Sequence, residues 1–333
     1  MAILKPDEAL LPVLPIMQRH GATCTPEEFH AAVNVTFHQF ESEVYDQEHV
    51  DMWNSLPQQF SLFADDCLRR YPDAPAKMRM LDIGCGTGLA SQCMLNSSLK
   101  PRIQSIDLLD TSSQMLRQAS KRAEGWKIKG SIRTYEGLID ALPRDNRYEL
   151  IVTCSVLHHV PDLPHFADEV KRRQTPGGIF LHMQDPNGDY SSDPELEKRS
   201  AEFSKKLLPE SFYRFTPERV AGKLRRIITG KQKEDHTFKT NRALVESGIV
   251  KTPLAIAEIY AITDIHVADG NGISIRQMES WMPDYELLTT RSYGFFGVLW
   301  DTLPPNLRKV EEELIEKKAP NGLHVGAAWK LKN

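Results

Sequence analysis

A chain of 333 residues can bury a large core, and 41% hydrophobic with 26% charged residues is ordinary for a globular protein and too polar for a membrane bundle. No run approaches the ~20 consecutive apolar residues that cross a bilayer, so no membrane span is expected. The net charge of −4, from 41 basic and 45 acidic residues, gives no global attraction to nucleic acid.

Residues 1–75 read mainly as helices, with Phe37, Phe40, Val44, Phe60 and Phe63 at intervals dominated by threes and fours, and are expected to form an N-terminal helical cap. Within them, Pro12 and Pro15 interrupt the apolar segment from Ala9 to Met17, which therefore does not read as a signal peptide. Pro72 and Pro75 end the helical pattern, and Met78–Ile83 reads as a strand entering a glycine-rich turn. A helix after Gly88, a strand at 103–109, a helix at 112–123 and a short strand near Ile132 follow. Next come a strand at 148–154, a helix at 165–173 and a strand at 178–184 after the turn Pro176-Gly177-Gly178. This alternation predicts parallel strands joined by crossover helices, a core covering 76–189.

From 190 to 265 the chain reads as a helical lid inserted into that core, with breaks at Pro209, Pro217, Gly230 and Pro253. Residues 266–333 then complete the core with a helix at 274–281, a strand at 285–296, a charged amphipathic helix at 307–318 and a strand at 323–331. The five cysteines, Cys24, Cys67, Cys85, Cys93 and Cys154, form no CxxC pair and no zinc spacing, so they read as reduced thiols of a cytoplasmic protein.

The chemistry concentrates in Leu81-Asp82-Ile83-Gly84-Cys85-Gly86-Thr87-Gly88, where a strand delivers an acid and three alternating glycines into a helix. Glycine lets backbone approach a ligand where a Cβ would collide. A dinucleotide-binding GxGxxG loop would need its third glycine at Leu89, and no Tyr-x-x-x-Lys set is present, which argues against a nicotinamide-dependent oxidoreductase. The strand ending at Asp110 is followed by Thr111 and, further on, Met115-Leu116. A carboxylate there can accept hydrogen bonds from both hydroxyls of a ribose, or cap the next helix, and Asp107 competes with it on spacing alone.

Together these segments resemble the class I S-adenosylmethionine-dependent methyltransferase family, small-molecule branch. The resemblance implies an α/β fold, a Rossmann-like doubly wound seven-stranded sheet with an antiparallel last strand, here with the N-terminal cap and inserted lid. It implies S-adenosyl-L-methionine as cofactor, methyl transfer to a small-molecule acceptor, and a cofactor site at Asp82, Gly84, Cys85, Gly86, Gly88, Asp110, Thr111 and Met115. The segment Gly137 to Pro143 is similar to the one that brackets adenine, through Leu138 and Ile139, with core packing as the other reading of Leu138. Cys154 and Ser155 end the fourth strand facing the methionine part, and Asp185 lies just past the fifth. Tyr45 resembles a tyrosine that closes over the cofactor, or is an ordinary packing residue.

The acceptor needs a base only when it must lose a proton, for which histidine is suited. His158, His159 and His266 are the candidates, each with packing as its alternative, while His182 reads as a hydrogen-bonded core residue. His266 with Asp264 and Asp269 has possible metal spacing, yet no matching carboxylate pair ends the core strands, so no metal is expected. Between Lys198 and Lys239, twelve basic residues face five acidic ones. That excess is either a solvated helix surface or an attractor for an acidic or carrier-linked acceptor, with Phe203, Phe212, Tyr213 and Phe215 as apolar walls. Nucleic acid is not expected as a partner. A protein that binds the cofactor without methylating is the alternative from another functional class.

Overall fold

The computed structural model describes residues 6–207, 234–268 and 272–333, and its strands form one seven-stranded sheet. The strands are β1 (Met78–Ile83), β2 (Ile103–Asp110), β3 (Ile132–Glu136), β4 (Tyr148–Cys154), β5 (Gln174–Pro186), β6 (Tyr285–Tyr293) and β7 (His324–Leu331). Their order is β3-β2-β1-β4-β5-β7-β6, parallel from β3 to β5, with β7 antiparallel to both its neighbours. The winding reverses between β1 and β4, the crevice where ligands bind in open parallel sheets. In register, Ile83 stands beside Leu109 and Thr153, and Cys154 beside Met183, so the carboxyl ends of four strands share one edge.

The helices are α1 (Pro6–Ala9), α2 (Leu14–His20), α3 (Pro26–Glu41), α4 (Tyr45–Glu48), α5 (Val50–Arg70), α6 (Leu89–Met94) and α7 (Ser113–Ala123). Beyond them lie α8 (Leu163–Arg173), α9 (Pro194–Leu207), α10 (His236–Glu246), α11 (Ile256–Thr263), α12 (Ile265–Ala268), α13 (Ile275–Trp281) and α14 (Pro305–Glu316). One face of the sheet packs on α5, α6, α7 and α14 through residues such as Phe60, Phe63, Met94, Leu116 and Ile315. The other packs on α8 and α13 through Leu163, Val170, Ile275 and Met278.

The N-terminal helices divide between two places. α5 lies on the sheet, whereas Leu10, Val13, Phe29, Val33 and Phe37 build a separate apolar cluster with Leu244, Ile259, Ile262 and Ile265 of the inserted region. α3 begins where its sequence dictates: Pro26 opens the helix, the Glu28 amide donates to Thr25 Oγ1 at 3.2 Å and the Thr25 amide to Glu28 Oε2 at 2.9 Å. Its Phe29, Val33 and Phe37, spaced by fours, then form one buried stripe.

Several boundaries differ from the sequence reading: β5 runs Gln174–Pro186 rather than 178–184 and α14 Pro305–Glu316 rather than 307–318, and two others have a visible cause. β6 stops at Tyr293, not at 296, because Gly294 turns with φ +76° and the buried Glu311 carboxylate takes the amides of Gly294 and Phe295 at 2.7 and 3.0 Å. α8 starts at Leu163, two residues early, because Asp162 accepts from the His165 amide at 2.9 Å and caps it. Phe212, Tyr213, Phe215, Asp269, the breaks at Pro209, Pro217 and Gly230, and most of the basic stretch lie outside the described residues. No helix among the described residues is long and apolar enough to cross a membrane.

Candidate active site

β1 runs straight into Gly84, Gly86 and Gly88, whose φ values of +62°, +52° and +92° disfavour any residue with a Cβ. A Cβ on Gly84 would stand 2.6 Å from Val156 Cγ2, so the bare glycine lets the loop press on the exit of β4. A Cβ on Gly86 would meet nothing within 4 Å. The space beside this loop is an open cleft lined by Tyr45, Met52, Gly84, Cys85, Gly86, Thr87, Leu89, Ala90 and Cys154.

At the end of β2, Asp110 accepts from the Gly86 amide through Oδ2 and from the Ser112 amide through Oδ1, both at 2.8 Å. Burial pushes its carboxyl upward against those bonds. The cap of α7 is Ser112, which accepts from the Met115 amide at 3.3 Å, so Asp110 does not serve as that cap. Asp107 is fully buried and engaged elsewhere, with Arg79 at 3.0 Å, Arg133 at 2.9 Å and the Tyr148 hydroxyl at 2.8 Å. Asp82 is also fully buried and accepts from the Ser91 hydroxyl and amide at 2.6 and 3.1 Å, tying β1 to the first turn of α6. Desolvation raises its carboxyl to about 7. Thr111 is half-buried and Met115 buried beneath the loop end of β2. Leu138 is 68% exposed beside half-buried Ile139, an apolar platform at the rim of the same edge.

Tyr45 reaches the cleft because α4 is fastened to the glycine loop. Asp46 accepts from the Thr87 hydroxyl at 2.7 Å and the Trp53 indole at 3.0 Å, and Arg122 of α7 donates to both Asp46 and the Thr87 carbonyl. The Arg122 guanidinium lies 4.2 Å over the Trp53 ring, and Gln118 donates to the Ser42 carbonyl.

Across the crevice, β4 ends in Cys154, whose thiol is pushed up by burial, and Ser155, a non-glycine residue at φ +60° whose amide donates to the Met183 carbonyl at 2.8 Å. Within β5, where its register with β7 shifts between His182 and Asp185, Gln184 repeats the positive φ at +64°. Such outliers persist where surrounding contacts enforce them. Between them sits a histidine and its carboxylate: His158 Nδ1 lies 2.9 Å from Asp185 Oδ1, which also accepts from the His158 amide at 3.3 Å. The carboxylate can only accept, so Nδ1 carries the proton and Nε2 keeps its lone pair. Burial and neighbouring His159 lower His158. Asp185 is itself fully buried, yet the hydrogen bonds from His158 and the nearness of the His182 ring outweigh desolvation and hold it ionised. His182 is fully buried, with Nδ1 3.6 Å from Asp185 Oδ2, beyond the distance of a good hydrogen bond.

His159 lies beside His158, ring centroids 4.0 Å apart, and donates through Nδ1 to the Thr263 carbonyl at 2.9 Å and to Asp264 at 3.2 Å. His158, His159 and Asp264 offer three ligand atoms within 4.8 Å of one another, and both imidazoles have Nδ1 engaged by protein acceptors. His266 is directed to the backbone instead, Nε2 donating to the Val160 carbonyl at 2.8 Å, and so straps α12 to the turn after β4.

Residues 81–180 match the model of a methyltransferase domain family. A ubiquinone biosynthesis O-methyltransferase of Methylobacterium sp. (strain 4-46) is 28% identical over 110 residues, which are 33% of this chain and 42% of that protein. Residues 81–180 are thus a methyltransferase domain. The lovastatin diketide synthase lovF of Aspergillus terreus is 27% identical over 136 residues, 40% of this chain and 5% of that protein, so the chain spans under half of these relatives. Among solved structures, the plantazolicin methyltransferase BpumL in complex with SAH is 11% identical with a TM-score of 0.47, over 92% of this chain and 97% of that one. A methyltransferase from Mesorhizobium loti is 15% identical with a TM-score of 0.40, over 79% and 95%.

S-adenosylmethionine is the cofactor of the methyltransferase domain, and the residues present fit it. The open space at Gly86 admits a ligand backbone, Asp110 has lone pairs left on both oxygens, and Leu138 offers an uncovered apolar face. Most of the sequence-selected residues therefore gather on one edge, while Asp82 and Met115 lie behind it. No local signal marks the pairing of Asp46 with Arg122 or of His158 with Asp185, whose members lie 76 and 27 residues apart.

Proposed function

We propose that this methyltransferase transfers the methyl group of S-adenosylmethionine to a small molecule whose acceptor atom loses a proton, with His158 as general base and Asp185 behind it. The observation that carries the reading is the buried 2.9 Å contact that leaves the unprotonated Nε2 of His158 as the free face of the ring. The cofactor, when bound, supplies an already activated methyl group on a sulfonium centre. What remains for the chain is to bind, align and exclude water, which in favourable cases contributes ~7–11 kcal/mol.

Asp110 and the Gly86 loop hold the ribose side, Leu138 and Ile139 flank the base, and Tyr45 closes the cleft from α4. Cys154 and Ser155 border the methyl position. His158 Nε2 takes the acceptor proton, and Asp185 fixes its ring and stabilises the imidazolium that forms. The relatives support acceptors of low molecular weight, since one is named for ubiquinone biosynthesis and the other for a lovastatin diketide. The excess of basic residues between Lys198 and Lys239 favours an acidic or carrier-linked acceptor.

The test is a methyl-transfer assay read by mass spectrometry, with phenols and β-keto thioesters as acceptors. His158→Gln should lose ~10²–10⁴-fold in kcat while binding S-adenosylmethionine as the parent does. Full turnover by that variant would remove the base from the mechanism. No product from a folded, cofactor-bound parent across both acceptor classes would favour a cofactor-binding protein without methylating activity.

A further inference from the structure

We propose that His159 is a second catalytic residue, an anion-binding imidazolium installed by Asp264 of the inserted region, so that the acceptor is a phenol or β-dicarbonyl compound reacting through a delocalised oxyanion. This rests on the methyl-transfer reading above and assigns the neighbouring histidine a task opposite to that of His158.

The two rings are adjacent but their partners differ in kind. His158 leans on Asp185, from the strand edge of the core. His159 leans on the Thr263 carbonyl and the Asp264 carboxylate, which come from the end of α11 in the inserted region. Both partners of His159 accept, so its Nδ1 is a donor, and protonation makes Nε2 a second donor directed away from Asp264. Its side chain keeps 19% of its surface open against 9% for His158.

The groups around His159 are known from every side. α3 contributes His38, its ring centroid 5.1 Å away, and His30; β5 contributes Asp185; β2 contributes Asp110, and α12 contributes His266 behind His30. Burial and these histidines disfavour a charge. The Asp264 and Asp185 carboxylates and the Thr263 carbonyl outweigh them and hold His159 above 6.5, while His158 is held below it. Asp264 is in turn held down to about 2 by His159. Two titrating groups in contact, pushed in opposite directions, are what separates a base from an electrostatic stabiliser.

The proton balance follows. The acceptor's O–H or C–H proton goes to His158 Nε2, and the electron pair it leaves delocalises onto an oxygen that accepts from His159 Nε2–H. That pair then forms the bond to the methyl carbon as the carbon–sulfur pair departs with sulfur. His159 keeps its proton throughout, and His158 returns its own to solvent. Because Asp264 belongs to the inserted region, the anion site is complete only with that region docked on the turn after β4.

Histidine-selective NMR of the whole chain, assigned with His158→Gln and His159→Gln, gives the ring midpoints directly. His159 should titrate above 6.5 and His158 below it, and Asp264→Asn should lower the His159 midpoint. With 4-nitrophenol as the probe, the visible absorbance of its phenolate should show about tenfold enrichment of the anion on the parent protein, lost in His159→Gln and Asp264→Asn. A His159 midpoint at or below 6.5, no phenolate enrichment, or enrichment that survives His159→Gln would overturn the proposal. So would one equivalent of divalent metal held by the purified chain and lost in Asp264→Asn. Neither readout needs turnover, so a chain that bound no S-adenosylmethionine would sink the methyl-transfer reading while these results judged the anion site separately.

Discussion

Adding one methyl group at either of two loop glycines separates folding from cofactor binding. Gly84 and Gly86 are both left-handed, φ +62° and +52°, so each Gly→Ala change carries a backbone penalty of ~1–2 kcal/mol, partly offset by a less flexible unfolded chain. The surroundings differ. At Gly84 the new Cβ stands 2.6 Å from Val156 Cγ2, and relieving that overlap adds ~1–3 kcal/mol. At Gly86 it meets no protein atom within 4 Å. Gly84→Ala should therefore melt clearly lower, while Gly86→Ala stays within a few degrees of the parent. Isothermal titration with S-adenosylmethionine should show the reverse ranking per degree lost, Gly86→Ala weakening binding by about 100-fold because its methyl fills the ligand's approach. A Gly86→Ala protein with parental affinity would refute the placement of the cofactor over that glycine.

Asp110→Ala should abolish measurable cofactor binding in the same titration with little change in melting temperature, since Ser112 keeps the cap of α7. Asp46→Ala removes the acceptor shared by Thr87, Trp53 and Arg122, and should weaken S-adenosylmethionine by about tenfold, through faster release seen in stopped flow. Asp185→Asn should lower kcat with KM nearly constant and move the acid limb of the kcat profile downward, because His158 loses the carboxylate that favours its charged form.

The cofactor half of the site was legible because its chemistry is local. A strand, three glycines and a helix lie within a dozen residues, and the acid at the end of β2 follows from the same alternation. What distance assembles was not legible. Apolar spacing marked α5 as a helix but could not say that it packs on the sheet while α3 packs against α10 and α11. The end of β6 depends on Glu311, seventeen residues beyond the glycine it binds. Asp107 rivalled Asp110 on spacing alone while Met115-Leu116 favoured Asp110, and Arg79, Arg133 and Tyr148 engage Asp107. For the histidines the sequence offered a pair, His158 and His159, without a reason to tell them apart; the difference lies wholly in which carboxylate reaches each ring.

The same burial that shapes the site should leave opposing marks on stability against pH. His30 and His324 are pushed down to about 4 by burial, so the stability tied to their neutral forms is complete above 6.5 and is lost as pH falls toward 4. Asp82 and Glu311 are raised to about 7 by burial, so the stability tied to their protonated forms is complete below about 4 and is lost as pH rises toward 7. Each group amounts to a few kcal/mol, since about 1.4 kcal/mol corresponds to each pH unit of displacement. Between about 4.5 and 6.5 the two pairs act in opposite directions and their contributions nearly cancel. Asp82→Asn keeps the acceptor for Ser91 and removes one titrating member, so the variant's melting temperature should fall more steeply on acidification through that window than the parent's. Parallel curves for the two proteins would mean that Asp82 is ionised in the folded chain across the whole range, and that its burial beside Ser91 does not hold the proton.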